Sequence, residues 1–214
     1  GATIFSIIYL GITLAIVVFL LLMSGKKFQP MTEALDKKEF GFRDLFPIGF
    51  QALEMSGYKY GTAFDRNMRR QLRELYDSDF VEFYLRVYWA GAVTFIFVGF
   101  LLSGILNLFM GNLGLIVGLG FGGFVSYSWI HDIKAKIDKR HTKIMIDMPD
   151  FTNKILILSG AGMTLRAAII KISEEMSLDT PLYNTLKSCV DKMNNGATDE
   201  AAMENLSVQC NTPQ

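Results

Sequence analysis

The sequence predicts an all-α membrane protein, three transmembrane helices carrying a cytoplasmic helical bundle. Three observations predict it. Of the 214 residues 50% are hydrophobic and the mean hydropathy is +0.28, too apolar for an ordinary soluble domain. All 21 Lys and Arg fall in two blocks, 11 from Lys26 to Arg86 and 10 from Lys134 to Lys192, whereas residues 1–23 and 87–130 carry no charge. Beyond the second charge-free run, apolar helical stretches alternate with Gly-containing breaks.

Residues 1–23 are long enough for one span, since about 20 apolar residues cross a bilayer. A secretory signal peptide fits poorly, because no basic residue precedes the run and the pair Lys26-Lys27 follows it. Residues 24–86 begin loosely, with Phe40, Phe42 and Phe46 between Pro30 and Pro47. They become helical from Arg66, where Met68, Leu72, Leu75 and Tyr76 recur at helical spacing. The aromatics here read as packing residues rather than a surface for stacking nucleic-acid bases. A break at Asp77-Ser78-Asp79 restarts a helix that runs into the second span.

The 44 residues 87–130 would make one helix of about 66 Å, twice the hydrocarbon core, so the run must fold back. Met110 to Gly114 supplies the turn, giving spans near 87–109 and 114–130. Basic loops stay in the cytoplasm, which puts the N-terminus and the hairpin tip outside and residues 24–86 and 131–214 inside. Cys189 and Cys210 then both lie in a reducing compartment, where no disulfide is expected.

The tail opens with a juxtamembrane basic helix, residues 131–148. Its Lys134, Lys136, Lys139, Arg140 and Lys143 suit contact with lipid headgroups. His131 and His141 lack partners at metal-ligand spacing, and no cofactor is implied. Pro149 and Asp150 then suit the start of a new helix. That helix is expected to stop at Gly160-Ala-Gly162, and Thr164 to cap the next. Thr180-Pro181 is expected to open a third by cap and proline, and Asn194 to Gly196 to end it. The stretches Gly162-x-Thr164-x-x-Ala167-Ala168 and Gly196-x-Thr198-x-x-Ala201-Ala202 are the same element 34 residues apart. Each Gly permits a left-handed residue, each Thr captures free N–H groups, and paired Ala allows close approach. The interval also suits a tetratricopeptide repeat, but only two copies exist and the aromatic positions are missing.

Gly118, Gly120 and Gly123 match a dinucleotide-binding pattern, yet they lie inside a charge-free run. Gly114, Gly118 and Gly122, four apart, instead form the small-residue stripe that lets helices touch in lipid. No P-loop, zinc-protease or nucleophile-elbow motif is present, and no catalytic residue is assigned. The spans lack the ionisable residues of an ion-coupled transporter.

The stretch from Asp147 to Glu175, with Pro149, Asp150, Gly162, Thr164, Ala167 and Glu174, followed by Gly196, Thr198 and Ala201, resembles the cytoplasmic F-domain of type II secretion and Tad pilus platform proteins. Upstream, "RRQLRELYDSDFVEFYLRVYWA" before a double span resembles the TadB and TadC branch. The family continues with further helices and another span, whereas this sequence stops at Gln214 and begins with Gly1. It is therefore expected to be a trimmed or split member, with residues 149–214 an incomplete F-domain. The resemblance implies a non-enzymatic scaffold of the cytoplasmic membrane that docks a hexameric secretion ATPase, handles pilin or pseudopilin subunits and forms a homo-oligomer or a hetero-oligomer with a related platform subunit. Arg166, Glu174 and Glu175, at the ends of the Ala-rich helix, are the candidate docking residues. A membrane-anchored adaptor or sensor, and more remotely a small transporter, are the competing classes.

Overall fold

The computed structural model describes residues 2–24, 27–175 and 179–210, and these are largely helical with no strand among them. Lys26 of the basic pair, Met176 at the end of the Ala-rich helix and residues 211–214 lie outside the described residues. The helices are α1 (Ala2–Ser24), α2 (Gln29–Glu33), α3 (Phe46–Ser56), α4 (Ala63–Leu75), α5 (Val81–Met110), α6 (Asn112–Gly160), α7 (Leu165–Glu175), α8 (Pro181–Asn194) and α9 (Asp199–Gln209). Short 3₁₀ turns at Arg43–Leu45 and Ser78–Phe80 precede α3 and α5. Among the described residues three helices, α1, α5 and α6, are long and apolar enough to cross a membrane. The chain divides into two compact units, Gly1–Asp65 with Glu82–Asp132, and Arg66–Val81 with Ile133–Gln214.

The first unit is organised by the α5–α6 hairpin. Gly111, in the left-handed region at φ 62°, makes the turn between the two helices. Below it the backbones touch. A Cβ on Gly122 would stand 2.6 Å from the Cα of Gly99, and one on Gly114 or Gly118 would run into the backbone at Leu106 or Ser103. Gly120 and Gly123 have open space instead, so the two halves of the apparent nucleotide motif face different surroundings. Polar groups close locally. The Ser126 hydroxyl donates to Ala92 O at 3.0 Å, and Trp129 Nε1 donates to Tyr88 O at 3.2 Å. In lipid such groups must find partners inside the protein, because no water is there to take their place.

Helix α1 lies on α5 through two polar contacts, the first of them buried. Asn107 Nδ2 donates to Ser6 Oγ at 2.7 Å. Ser103 Oγ donates to Phe100 O and accepts from the Tyr9 hydroxyl at 2.9 Å. Lower on the same helix, Val17 and Leu20 pack with Ile48 of α3 and with Phe97 and Leu101 of α5.

The segment expected to begin loosely is instead largely ordered by α3. Pro47 sits in its first turn, where the missing N–H costs nothing, and Gly57 at φ 65° closes it. Treating Pro47 as a boundary missed this helix, because proline at that position starts one. Gly49 brings α3 against α5 so closely that a Cβ would collide with the Ala90 carbonyl, and Gly49 N donates to Thr94 Oγ1 at 3.1 Å. Phe40 and Phe46 are fully buried, their rings meeting Trp129 at 6.0 and 5.6 Å, whereas Phe42 is 61% exposed and only rests on Phe95. At the start of α4, Thr62 and Asp65 form a reciprocal cap: Thr62 N donates to Asp65 Oδ2 at 2.8 Å and Asp65 N to Thr62 Oγ1 at 3.2 Å. Burial alone would raise the Asp65 pKa. Bonds from the Thr62 hydroxyl and amide, Trp89 and Tyr58 outweigh it and hold that carboxyl below its ordinary range.

One helix boundary differs from the sequence expectation. Pro149 does not start a helix, because α6 runs through it unbroken to Gly160. An interior proline loses a hydrogen bond and crowds the preceding turn, at a cost of about 3 kcal/mol. Packing on both sides of it offsets that. Ile144 and Met148 before it, and Phe151 and Ile155 after it, share one cluster with Ile172, Tyr183 and Leu186.

The glycine contacts predict a graded result. Gly118→Leu should destabilise the protein in detergent by about 1–3 kcal/mol or prevent its folding, as overpacking does. Gly120→Leu on the open side should shift the unfolding midpoint little. Thermal unfolding of the two variants side by side reads this, and equal effects would refute the contact.

Candidate partner-docking site

The second unit is built from α4, the turn after it, the C-terminal part of α6, and α7 to α9. Its centre is a cluster of Ile144, Ile169, Ile172, Leu182, Tyr183, Leu186 and Val190. Tyr183 is 1% exposed, and its hydroxyl donates to Asp150 Oδ2 at 2.9 Å. Burial, and the Asp150 carboxylate beside it, push the Tyr183 pKa up to about 12.

The repeated Gly-x-Thr element makes the same joint twice. After α6, Gly162 at φ 86° lets Met163 N donate back to Leu158 O at 3.1 Å and Gly162 N to Ser159 O at 3.0 Å. After α8, Gly196 at φ 93° lets Ala197 N donate to Lys192 O at 3.0 Å and Gly196 N to Met193 O at 3.4 Å. Both are Schellman closures, which satisfy the last carbonyls of a helix. Two residues later Thr164 Oγ1 accepts from Ala167 N, and Thr198 Oγ1 from Ala201 N, each at 3.3 Å. Only the second alanine of each pair, Ala168 and Ala202, is core. Thr180 behaves differently from the expected cap. It is extended before Pro181, but its side chain makes no capping bond and its Oγ1 is buried without a hydrogen-bond partner. Pro181 itself opens α8 with φ already set for a helix.

The three candidate docking residues all lie on the exposed side of α7. Arg166 pairs with Asp199 at the start of α9, joining the two capped helix starts. Glu175 lies 3.7 Å from Lys171, and Glu174 is exposed between them. At about 100° per residue, Arg166 and Glu175 fall on opposite edges of that exposed face, so the three do not converge on one point.

Asp77, which the sequence marked only as a helix break, ties the turn after α4 to α8 and α9. Its carboxylate is paired with Lys192 of α8, accepts from Ser188 Oγ at 2.9 Å, and lies 3.4 Å from Asn205 Nδ2 of α9. Burial would raise its pKa, but the bonds from Lys192 and Ser188 outweigh this and hold the carboxyl below its ordinary range. Gln209 Nε2 reaches Tyr76 O at 3.4 Å beside it. A cavity of about 410 Å³ opens next to this clasp, lined by Ser78, Asp79, Lys192, Asn195 and Asn205. Nothing local in "YDSDF" signals partners more than a hundred residues away. On α4 and α6, Glu74 lies 3.3 Å from the buried His141. Cys189 and Cys210 are free, and burial raises both thiol pKa values, which leaves them weakly nucleophilic. The arrangement offers a firmly jointed helical surface with mixed charge at its rim.

No protein-family model matches the chain, and neither a curated protein nor a solved structure matches it.

Asp77→Asn keeps the shape and removes the charge. It should destabilise this unit by about 1.5–3 kcal/mol at neutral pH, the range for a hydrogen bond to a charged group. Because the folded pKa is depressed, the wild-type advantage is present above the unfolded carboxyl pKa of about 3.9 and is lost as pH falls through the folded value. Unfolding of both proteins at pH 7 and near pH 3 checks the sign. A gap that persists undiminished in acid would show that the charge is not its source.

Proposed function

We propose that the chain is a membrane platform protein of a pilus or pseudopilus assembly machine, of the kind the Tad and type II secretion families supply. In this reading it is a scaffold and not an enzyme. It crosses the cytoplasmic membrane three times, docks a hexameric secretion ATPase on its helical unit, works beside a related platform subunit and supports pilin insertion along its spans. One observation carries the reading: residues before the apolar hairpin, Arg66–Val81, and residues after it, Ile133–Gln214, belong to a single compact helical unit. A hairpin returns to the side it left, so one soluble module assembled from both flanks is what a docking platform requires. Arg66, Arg69, Arg70 and Arg73 of the first basic block and the whole of the second lie on these flanks, which favours the cytoplasmic side. The two capped Schellman joints support the same reading, since a docking surface gains from helices whose mutual angles are fixed.

Two measurements test it. With Cys189 and Cys210 replaced by Ala, a cysteine at Asn112 should react with an impermeant maleimide from outside intact cells, and one at exposed Lys187 only after lysis. The reverse pattern would overturn the orientation. The full chain in detergent should also capture its cognate hexameric ATPase. The triple reversal Arg166→Glu, Glu174→Lys and Glu175→Lys should weaken capture about tenfold through lost electrostatic complementarity. It should leave circular dichroism unchanged, because exposed ion pairs contribute about 0–1 kcal/mol. Capture of some other cytoplasmic protein in place of the ATPase would favour the adaptor class.

A further inference from the structure

The first unit contains a cavity of about 480 Å³ whose wall is unlike the apolar surfaces around it. It is lined by Lys27, Phe28, Phe50, Glu54, Tyr60 and Arg86, among others. Its place in the sequence locates it. Lys27 follows the charge-free run that forms α1, and Arg86 immediately precedes the charge-free run 87–130. Two apolar helices therefore reach their last uncharged residue beside the same cavity, which sets it at the depth where hydrocarbon gives way to headgroups.

The lining chemistry fits that depth. Phe28 and Phe50, both buried, stack with ring centroids 5.4 Å apart and form an apolar floor. Tyr60 holds an unusual left-handed backbone, φ 49°, and its ring centroid lies 5.9 Å from the exposed Arg86 guanidinium. Lys27 is paired with Glu54, but the two side chains are 60% and 48% exposed, so the pair is weak and an anion can compete for the ammonium. Among the side chains that line the cavity two cations face one carboxylate, so this lining carries a net positive charge. Guanidinium presents a fork that matches phosphate oxygens, and tyrosine prefers the membrane–water interface.

We propose that this cavity binds the headgroup of an anionic phospholipid, its phosphate between Arg86 and Lys27 and its glycerol backbone on Phe28 and Phe50. The inference needs only that α1 and α5 cross a bilayer, and it stands or falls independently of ATPase docking.

The test uses the full chain in nanodiscs of phosphatidylcholine with or without phosphatidylglycerol. The phospholipid retained after gentle detergent extraction is counted by native mass spectrometry. Wild type should retain phosphatidylglycerol in preference to phosphatidylcholine. Lys27→Gln with Arg86→Gln should lower that retention about tenfold, given what juxtamembrane cations contribute near an anionic surface. Lys37→Gln with Lys38→Gln removes the same charge from exposed positions of the loop between α2 and α3, outside the cavity lining, and should leave retention unchanged. Equal losses in both pairs would reduce the effect to diffuse surface attraction and overturn the proposal. So would equal retention of the two lipids, or displacement of the lipid by soluble glycerol phosphate, which would assign the cavity to a free anion. If the cavity pair does not fold, Arg86→Lys keeps the charge and loses the fork. It should still reduce retention, and unchanged retention would refute the phosphate contact.

Discussion

Close contact between α5 and α6 is the constraint on which the first unit depends. Forty-four residues without a charge exceed one bilayer crossing, and in a bilayer a chain that doubles back would gain no hydrophobic driving force from helix contact, because lipid is as apolar as leucine. What remains is backbone approach and hydrogen bonding. Gly99 against Gly122 and Gly118 against Ser103 supply the approach, and the Ser126–Ala92 and Trp129–Tyr88 bonds supply the polar closure. Helix α1 is then held by Asn107–Ser6 and Tyr9–Ser103 contacts that would cost free energy if left unmade.

The second unit is held by a different balance. Its core is ordinary aliphatic and tyrosine packing, but its joints are polar. Two Schellman closures with threonine caps set how α6 passes to α7 and α8 to α9, and the Asp77 carboxylate fastens the turn after α4 to both α8 and α9. The continuity of α6 through Pro149 belongs to the same balance, since a cluster shared by residues on either side of the proline outweighs one lost backbone bond.

Much of this was legible in the sequence, for reasons that can be named. Charge-free runs, a Gly turn at the hairpin tip and Gly-x-Thr at two helix joints are local signals, and each reports a local physical requirement. The misses share the opposite property. Pro47 and Pro149 look alike in sequence, yet one opens a helix and the other lies inside one, and only the packing around each decides which. Thr180 has the right residue and backbone for a cap but its hydroxyl makes no bond. Asp77 reads as a turn residue because its partners, Ser188, Lys192 and Asn205, come from the far end of the chain. The cavity at Lys27 and Arg86 likewise appears only when two segments remote in sequence are brought together.

The hairpin gathers its two flanks into one unit, and zero-length carbodiimide coupling in intact membranes measures this. The reagent joins a carboxylate to an amine only where they are already in contact. Peptide mass spectrometry should recover an amide between Asp77 and Lys192, alongside the Asp150–Lys154 pair of a single helix as an internal standard. Recovery of the internal standard without any link between residues 66–81 and α8 would contradict the account.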